Sequence, residues 1–364
     1  MLRRIRRKRC LMDLNALRKQ IDVIDGKIVE YLNKRTAVTA RIAEVKRAAG
    51  RSPYSPERER EVLRKICMLN KGPLSPPALT AIYKEIMSVS LSQGIPLRVA
   101  YLGPEATFTH LATLKRFGSQ IQYISCNTIP DVFLEVERDN ADFGVVPIEN
   151  SIEGAVNYTL DMFMDSELKI CAQVLFEVSH NLLANCPREK IKCVYSNPMV
   201  FGQCRVWLQE NLPGRERREV SSTTLAARIA AREKNCACIA SLLAARMYKV
   251  RVLAAHIEDM PHNITRFLVI GKTDVPRTGD DRTSIVFSIK DNVGALHDML
   301  MPFKKHAINL TKIESRPSRR KAWDYYFYVD LQGHREDLSV KRALQELENQ
   351  CTFLKVLGSY PVGE

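Results

Sequence analysis

A hydroxyl, a guanidinium and an aromatic ring stand side by side in the segment N-I-T-R-F at residues 263–267. The apolar run at 268–270 follows directly and predicts a short buried strand. A linker rich in Thr, Gly and Asp comes next, over residues 272–282, so we expect Thr265 and Arg266 to lie at the edge of a cleft. An ordinary strand whose Thr and Arg face solvent is the alternative reading of this triplet.

Four other polar segments stand where predicted strands end. Short apolar stretches alternate with helical ones, an α/β pattern for which we expect parallel strands. The strands are predicted at 97–102, 143–147, 170–176, 193–196 and 238–240. Sites in such folds collect at the carboxyl ends of strands, where helix N-termini expose N–H groups to anions. The polar segments at these ends are 103–110, 146–151 with Gly154, 195–204 and 222–224, although each alone also fits a turn or a helix cap.

The N-terminal section reads as three helices of unequal length. Apolar residues recur at alternating spacings of three and four, which predicts a helix over 13–49 about 55 Å long. Its stripe begins with Leu14, Leu17, Ile21, Ile24, Ile28 and Leu32. Pro53 and Pro56 mark the start of a second helix that ends at Gly72, and Pro76 opens a third that runs to about Gln93. Three helices of such unequal length do not form a well-closed core within one subunit. We therefore expect an intertwined homodimer or a higher homo-oligomer.

Five charged residues of these helices stand out as candidates, of which the four basic ones could bind a small anion: Arg18, Arg35, Lys46, Arg58 and Glu59. Arg18 and Arg35 lie about 26 Å apart on one helix, too far to hold one small ligand together. If both serve one site, one of them comes from the partner subunit. A solvated charged helix face is the alternative.

The C-terminal section predicts a compact βαββαβ unit, the ferredoxin-like order. Its strands are expected at 283–290, 308–314, 324–331 and 354–360, and its helices at 293–306 and 338–350. Gly294 opens the first of these helices, where free N–H groups and the missing side chain allow a carboxylate or carbonyl to approach. A helix cap followed by a turn is the simpler alternative.

Composition narrows the function classes. The chain has 364 residues, 45% of them hydrophobic and 26% charged, which suits a globular protein of two or three domains. Its net charge is +14, and six of these charges fall in the basic N-terminal stretch, leaving +8. Basic residues elsewhere are mixed with acidic ones, so we expect small anionic substrates and no nucleic acid.

Targeting and redox signals point to the cytoplasm. Residues 1–11 are basic without an apolar signal core, and we expect them to be a disordered extension. Runs of about 18 apolar residues are absent from the sequence, so no membrane association is expected. The ten cysteines lack C-x-x-C spacing and are interpreted as reduced thiols that fill cores, and we expect neither a metal nor a cofactor.

The patterns A-L-R, N-K-R, V-K and P-E-R-E along residues 13–94 resemble the all-helical chorismate mutases. Their reaction needs a clamped dianion and stabilisation of negative charge on the breaking ether oxygen, for which arginine forks and a lysine are suited. The resemblance implies a place in this site for each of six residues. Arg18 of the partner subunit, Arg35 and Arg58 hold carboxylates, Lys46 binds the ether oxygen, Glu59 binds the ring hydroxyl, and Ser90 is the third-helix serine of the family.

Two positions of this section depart from that family. Ser55 stands where many members have Asp, and Gly94 stands where the family usually has Gln or Glu as a second group at the ether oxygen. Gln93 lies one residue before this position, so its side chain would point about 100° away around a helix. Either the helix end brings Gln93 in or the mutase is impaired.

The polar segments of residues 97–271, in their order, resemble prephenate dehydratase, with V-P-x-E-N-S and T-R-F as the most specific elements. That reaction is driven by aromatisation, so it needs only a modest acid near the departing hydroxyl. The resemblance implies a two-lobed fold like that of periplasmic binding proteins, with Thr265 as proton donor on the strand that returns to the first lobe. The residues expected to bind or orient substrate are Thr107, Asn150, Ser151, Gln203, Thr223, Arg266 and Phe267.

Some residues of this section are left out of the implied site. Ala106, Asn197 and Met199 depart from the family pattern. His110 is kept only as a candidate, since a lone histidine at a helix start is more often structural. Glu149 is interpreted as a structural acceptor, because an ionised carboxylate would repel an anionic substrate.

Gly294-Ala295-Leu296 and Glu314-Ser315-Arg316-Pro317 resemble the two signatures of the ACT regulatory domain. The resemblance implies that phenylalanine binds there, between the ACT domains of two subunits. We expect this binding to shift the lobe cleft through the linker at 272–282.

Together the resemblances imply a multidomain, bifunctional chorismate mutase/prephenate dehydratase inhibited by phenylalanine. The expected domains are an all-α mutase domain at 12–96, an α/β dehydratase domain at 97–275 and an α+β ACT domain at 282–361. One alternative is a dehydratase whose degenerate mutase section serves dimerisation, which Gly94 favours. Another is a non-catalytic amino-acid sensor, which the presence of Thr265 and Asn150 disfavours.

Overall fold

The computed structural model describes residues 2–49, 54–92, 97–289, 292–317 and 325–363. Its first three elements are the helices α1 (Leu2–Ala48), α2 (Pro56–Leu69) and α3 (Pro76–Ser92). The three-helix prediction for this section is confirmed. The disordered extension expected over residues 1–11 differs from the structure, in which the helical backbone begins at Leu2, because Leu, Arg and Lys favour helix.

In the part of the chain that the structure describes, eighteen further elements and one turn of 3-10 helix at Arg188–Lys190 form the middle section. The first part contains β1 (Arg98–Leu102), α4 (Phe108–Phe117), β2 (Gln122–Cys126), α5 (Ile129–Glu137), β3 (Phe143–Asn150), β4 (Gly154–Ala155), α6 (Asn157–Asp165) and β5 (Lys169–Glu177). The second part contains β6 (Asn181–Ala184), β7 (Cys193–Ser196), α7 (Pro198–Gln203), α8 (Arg205–Asn211), β8 (Glu216–Glu219) and α9 (Thr223–Ala230).

The remaining elements complete the second part and add a C-terminal unit. They are β9 (Cys236–Ala240), α10 (Leu242–Tyr248), β10 (Val252–Ala254), β11 (Ile264–Gly271), β12 (Asp281–Ser288), α11 (Ala295–Lys305), β13 (Leu310–Pro317), β14 (Tyr325–Gln332), α12 (Leu338–Glu348) and β15 (Phe353–Pro361).

Two sheets make two lobes in the middle of the chain. The first lobe has strand order β2-β1-β3-β11-β5 with β4 beside β3, and the second lobe has order β10-β6-β9-β7-β8. The strand that contains Thr265, β11, follows the second lobe in sequence but pairs with β3 and β5 of the first. The structure thus confirms two lobes and a returning strand.

The expectation of parallel strands is only partly right. β1 is parallel to β2 and β3, and β7 is parallel to β8 and β9. β11 is antiparallel to both of its neighbours, and β6 is antiparallel to β9. The reason is connectivity, because strands that link the lobes enter a sheet from the opposite end to strands that follow a helical crossover.

The C-terminal unit has the predicted βαββαβ order, with strands arranged β13-β14-β12-β15. One face of its sheet packs on α11 and α12 through Phe287, Phe303 and Leu331. The other face joins the core of the first lobe, where Tyr328 and Tyr360 lie in one cluster with Leu268 and Ile170. The unit therefore lies against the first lobe through an apolar face.

The three sections contact one another closely. Gly358 of β15 lies so near β5 that an added Cβ would come within 2.4 Å of the carbonyl oxygen of Ile170. Arg60 of α2 forms an ion pair of 2.8 Å with Asp280, just before β12. Within the described ranges, no helix is both long and apolar enough to cross a membrane.

One face of α1 is left uncovered by the residues that the structure describes. Leu17, Ile21, Ile24 and Ile28 of the predicted stripe are 49–56% exposed. Apolar side chains at this spacing gain stability only when another helix covers them.

Candidate active site

Thr265 lies at the edge of the first lobe, near the start of β11, where it pairs in register with Asn150 at the end of β3. The Nδ2 group of Asn150 donates a hydrogen bond of 2.8 Å to Thr265 Oγ1. The Thr265 hydroxyl oxygen is the acceptor in this bond, so its proton stays available to a third group. Thr265 itself is 9% exposed.

An amide chain extends from this pair into the second lobe. Asn150 Nδ2 also donates to Asn263 Oδ1 at 2.7 Å, and Asn263 Nδ2 donates to Gln203 Oε1 at 3.1 Å. The same Gln203 oxygen accepts from His180 Nε2 at 2.7 Å, and Gln203 Nε2 donates to Glu153 Oε1 at 3.1 Å. These contacts join residues from both lobes into one polar network of mostly neutral groups.

His180 is held neutral in this network. Burial lowers its pKa, while the Gln203 hydrogen bond and Glu258 oppose that shift. A neutral imidazole can donate through Nε2 without bringing a fixed positive charge. His180 therefore orients the Gln203 amide.

A tight turn fixes the ends of β3 and β11. Asn150 Oδ1 accepts hydrogen bonds from the backbone N–H groups of Ile152 and Glu153 at 2.9 and 3.0 Å. Ser151 Oγ accepts from the N–H of Ile264 at 2.9 Å. Both side chains are thus used to position backbone next to Thr265, and Asn150 alone also bonds its hydroxyl.

Thr107 and His110 lie in the loop that follows β1 and starts α4. Thr107 is the N-cap of this helix and accepts from the N–H of His110. His110 stacks on Tyr101 with ring centroids 4.7 Å apart, and its Nδ1 accepts from the N–H of Ala106 at 3.0 Å. Burial lowers the pKa of His110, so the histidine has the structural role that a lone helix-start histidine usually has.

Ala106 adopts a left-handed conformation, with φ of 64°. A residue with a Cβ is strained at this φ, which glycine adopts at lower cost. Ala106 is nevertheless anchored on both sides, since Ser241 Oγ donates to its carbonyl at 2.9 Å.

Thr223 opens α9 in the second lobe and is buried. Its neighbour Thr224 donates to the carbonyl of Glu105 at 2.9 Å. The helix start in the second lobe is therefore tied to the Thr107 loop of the first lobe. Thr224 thus joins the two sides of the cleft, whereas the hydrogen bonds of Thr107 go to the backbone of its own loop and not to the Asn150–Thr265 pair.

The structure places Arg266 and Phe267, two of the residues predicted to bind or orient substrate, in contacts apart from the Asn150–Thr265 hydrogen bond. Side chains of a strand alternate between faces, so Arg266 points away from the face that carries Thr265. Its Nη1 lies 2.5 Å from Asp330 Oδ2 in the C-terminal unit, and Phe267 is buried in the core of the first lobe. Neither side chain is arranged to contact a ligand beside Thr265.

Glu149 also belongs to the interface with the C-terminal unit. Its Oε2 lies 2.9 Å from Lys312 Nζ and 3.6 Å from Arg266 Nη1. The carboxylate thus faces the same side as Arg266. This agrees with its interpretation as a structural acceptor.

In the helical section the structure brings together two of the predicted residues. Arg35 Nη1 donates to Ser90 Oγ at 2.6 Å, which links α1 to α3. Arg18 is exposed on α1, and Arg58 pairs with Glu61 while 62% exposed. Lys46 is half-buried near the end of α1.

Glu59 contacts residues other than Arg35, and its role at a ligand hydroxyl stays a prediction. Its Oε2 accepts from the Tyr54 hydroxyl at 2.7 Å and pairs with Arg116 Nη2 of α4 at 3.2 Å. Burial raises the pKa of Tyr54 well above its ordinary value, which keeps the phenol a donor. Gln93 and Gly94, the other positions in question, lie outside the described residues.

The residues predicted to bind an effector fall on two sides of the C-terminal unit. Gly294 precedes α11 in a left-handed conformation with φ of 81°, and Ala295 and Leu296 open the helix beside it. On β13, Ser315 and Pro317 are exposed, whereas Glu314 and Arg316 alternate inward. The inward side of this strand faces the first lobe.

Arg316 therefore contacts the first lobe and not the exposed face. Its Nη2 donates to both carboxylate oxygens of Asp161 on α6 at 3.1 Å. In the single chain Arg316 makes a contact between domains, and its role in effector binding stays a prediction. Ser315 and Pro317 remain beside the exposed edge of the sheet.

His180 and Asn263 are site residues that the sequence analysis did not identify. Asn263 is two residues before Thr265, so strand alternation could have placed it on the same face. His180 carried no such signal, because it follows a strand of the first lobe and meets Gln203 only through the fold.

Family models match three consecutive parts of the chain. Residues 17–94 match chorismate mutase type II, residues 99–275 match prephenate dehydratase, and residues 283–349 match the ACT domain. The three matches follow one another in the order of the helical section, the two lobes and the C-terminal unit.

Relatives of nearly the same length share this order. The chain is 51% identical over 354 residues to the bifunctional chorismate mutase/prephenate dehydratase of Aquifex aeolicus, covering 96% of this chain and 98% of that one. It is 44% identical to the enzyme of the same description from Stutzerimonas stutzeri, covering 96% and 97%.

A solved structure agrees over the lobes and the C-terminal unit. The prephenate dehydratase of Arthrobacter aurescens in complex with L-Phe is 33% identical, with a TM-score of 0.68 over 73% of this chain and 90% of that one. By domain order, length and identity, the chain belongs to the family of bifunctional chorismate mutase/prephenate dehydratases.

Proposed function

We infer that this chain carries out both reactions of its family. It rearranges chorismate to prephenate in the helical domain, and it converts prephenate to phenylpyruvate between the two lobes. The observation that carries the second activity is the hydrogen bond from Asn150 to the Thr265 hydroxyl, within an amide network that spans both lobes. Neither reaction needs a cofactor or a metal, because the first is an intramolecular rearrangement and the second is driven by aromatisation.

Thr265 acts as the weak acid of the dehydratase. When the ring carboxylate leaves as carbon dioxide, its bonding electrons complete the aromatic ring and expel the ring hydroxyl. That hydroxyl takes up a proton and leaves as water, and the Thr265 proton is directed to it. Asn150 supports this role because it donates to Oγ1 and so leaves the Thr265 proton for the substrate.

The amides of the network bind the two carboxylates of prephenate. Asn263 and Gln203 offer N–H groups without adding negative charge, Ser151 and Thr107 hold the backbone and the start of α4 around them, and Thr223 lies at the start of α9. Helix N-termini at α4 and α9 favour anions by their dipoles.

In the mutase domain, Arg35 and Ser90 form the part of the site that one subunit supports by itself. We assign Arg18 of the partner subunit and Arg58 to the carboxylates of chorismate and Lys46 to the breaking ether oxygen. Glu59 binds the ring hydroxyl once it leaves Arg116. The uncovered stripe on α1 supports a homodimer or a higher homo-oligomer in which a partner helix covers it.

The ACT domain binds phenylalanine as a feedback inhibitor. Its site is built from Gly294, Ala295 and Leu296 at the start of α11 and from the edge of β13 at Ser315 and Pro317, completed by a second subunit. The φ of 81° at Gly294 turns the chain so that a ligand can approach the helix N-terminus closely. We place the enzyme in the cytoplasm, with the mutase, dehydratase and ACT domains at 12–96, 97–275 and 282–361.

A second candidate is a dehydratase whose helical domain serves only dimerisation. The observation that favours it is the engagement of Glu59 with Arg116 and Tyr54, which removes this carboxylate from the mutase site. The two candidates differ in whether the chain turns over chorismate.

The deciding experiment gives purified protein chorismate and prephenate in separate reactions and follows phenylpyruvate. The bifunctional account expects phenylpyruvate from both substrates, with prephenate as a transient species in the chorismate reaction. Phenylpyruvate from prephenate alone would establish the second candidate. No phenylpyruvate from either substrate would refute both.

A further inference from the structure

We propose that Arg266 and Glu149 are positioning residues through which the ACT domain sets the geometry of the Thr265 and Asn150 pair. This inference rests on the proposed dehydratase function. It concerns four charged residues, named here the charge quartet: Glu149, Arg266, Asp330 and Lys312.

Strand alternation explains why Arg266 and Glu149 face the ACT domain. Thr265 is opposite Asn150 and Arg266 is opposite Glu149 on the antiparallel strands β11 and β3. Successive side chains of a strand point to opposite faces. The two residues of the catalytic pair therefore each have a neighbour in the chain that projects toward the ACT domain.

A matching pair of charged residues lies on the ACT sheet. Lys312 of β13 is in register with Asp330 of β14. Lys312 Nζ lies 2.9 Å from Glu149 Oε2, and Arg266 Nη1 lies 2.5 Å from Asp330 Oδ2. The charge quartet thus joins a cross-strand pair of the first-lobe sheet, Arg266 and Glu149, to a cross-strand pair of the ACT sheet, Lys312 and Asp330. Each ion pair between the sheets joins opposite charges.

Three members of the quartet are largely removed from water, whereas the Glu149 side chain is 37% exposed. The side chains of Arg266, Asp330 and Lys312 are 9%, 10% and 13% exposed. Burial opposes the charge of Arg266, but Tyr360 and Asp330 together raise its pKa above the ordinary value. A buried charge that loses its partner is strongly disfavoured, so β11 and β3 must follow their partners in the ACT sheet.

Arg266 is fixed by more than one ACT residue. Its Nη2 donates to the Tyr360 hydroxyl at 2.8 Å, and Tyr360 in turn bonds Ser284 Oγ at 2.6 Å. Asp330 also accepts from Ser284. Three ACT strands thus determine where the guanidinium lies, and the Thr265 backbone is one peptide bond away.

The quartet also lies on the path from the proposed effector site. Lys312 is on β13, two residues before Glu314, where the second ACT signature begins. A movement of β13 on phenylalanine binding would displace Lys312 from Glu149 and disturb Asn150. This route is shorter than the linker at 272–282, to which the sequence analysis assigned the coupling.

The test uses the full-length enzyme and the substitution Lys312→Met, which keeps the length of the side chain and removes its charge. Lys355→Met is the matched control, because Lys355 is also 13% exposed at the ACT boundary but pairs with Glu167, which is 89% exposed and precedes β5 at the end of the sheet opposite to Thr265. Lys312→Arg is the conservative variant. For each protein, kcat and KM for prephenate, inhibition by phenylalanine and chorismate mutase rate are measured.

We expect Lys312→Met to lower dehydratase kcat about tenfold, with KM changed less than about twofold and mutase rate unchanged. Lys312→Arg should restore most of kcat, and Lys355→Met should behave as the wild type. Combining Glu149→Gln with Lys312→Met should cost little more than either change alone, because both remove one interaction.

Three results would overturn the inference. They are an unchanged kcat in Lys312→Met, an equal loss in Lys355→Met, and fully additive losses in the double variant. If wild-type enzyme does not turn over prephenate at all, the proposed function itself fails. The unmodified protein reports the failure of the proposed function, whereas the variants report whether the charge quartet affects catalysis. The two failures are therefore distinguishable.

Discussion

Asn150 donates a hydrogen bond of 2.8 Å to the hydroxyl oxygen of Thr265, from the strand that lies beside it in register. The amide thus fixes the orientation of the hydroxyl and leaves its proton for a ligand. Asn150 is itself held by two backbone N–H groups, so the pair is preorganised before substrate binds.

The uncovered face of α1 predicts that oligomerisation and mutase activity depend on the same residues. Ile24→Glu places a charge in the middle of the stripe, which an apolar interface does not accommodate without a loss of about 2–4 kcal/mol. We expect the molar mass from light scattering to fall by at least half at micromolar protein and chorismate turnover to fall at least tenfold. Lys27→Glu, on the same helix, should change neither, and an Ile24→Glu protein of wild-type mass would contradict the proposed interface.

The contact between Glu59 and Arg116 predicts a gain of mutase activity when Arg116 is replaced. Arg116→Met removes the cation that lies 3.2 Å from the Glu59 carboxylate and competes with substrate for it. We expect kcat/KM for chorismate to rise about threefold to tenfold, which corresponds to about 0.7–1.4 kcal/mol. Arg98→Met, at the rim of the first lobe, is the control. An unchanged or lower mutase rate would favour the candidate in which the helical domain only dimerises.

The left-handed conformation of Gly294 predicts a selective loss of regulation. Gly294→Ala strains the backbone at φ of 81° and adds a methyl group at the proposed phenylalanine site, at a stability cost of about 1 kcal/mol. Gly214→Ala is a matched control, since Gly214 has φ of 69° and, like Gly294, has open space around it. We expect both variants to lose similar stability, while only Gly294→Ala needs at least tenfold more phenylalanine for half inhibition. Equal inhibition of the two variants would remove the effector site from this helix.

The neutral histidines predict a stability that falls in mild acid. Burial lowers the pKa of His110 and His180 below the ordinary value of 6.5, so the unfolded chain binds more protons than the folded one below that value. Stability is therefore full above about pH 6.5 and is lost as pH falls through the lowered folded pKa. His110 also loses its role as acceptor for Ala106 when protonated.

The measurement is the urea concentration at the midpoint of unfolding of the lobes. It is followed between pH 8 and pH 5 in the wild type, in His110→Gln and in His297→Gln. We expect the midpoint to drop on acidification in the wild type and to drop less in His110→Gln. His297 is exposed, and its replacement should leave the slope as it was. A wild-type midpoint that rises in acid would contradict the assigned direction.

Local patterns were sufficient for the architecture and for part of the site. Hydrophobic periodicity located three helices, the α/β lobes and the βαββαβ unit, because each element buries one face or one stripe. Thr265, Asn150 and Gln203 were correctly grouped, because residues at strand ends meet at one edge of a sheet. The direction of β11 was not predictable from its own residues, because strand polarity depends on the connections at both ends.

Three of the predicted site residues have side chains that reach another domain. Arg266, Glu59 and Arg316 were grouped with ligand sites because they adjoin residues of those sites in sequence. Their partners Asp330, Arg116 and Asp161 are between 57 and 155 residues away, a separation that no local pattern encodes. Alternation along a strand would have separated Arg266 from Thr265, and it is the more reliable guide when a motif is a run of consecutive residues.

The most direct test of the account replaces the Thr265 hydroxyl and uses the mutase of the same chain as its control. Thr265→Ala should lower dehydratase kcat at least a hundredfold, Thr265→Ser should keep most of it, and both should rearrange chorismate at the wild-type rate. Prephenate would then accumulate from chorismate in Thr265→Ala alone. Equal dehydratase rates in the Ala and Ser variants, or a parallel loss of mutase activity, would contradict the assignment of Thr265 as the acid of a separate site.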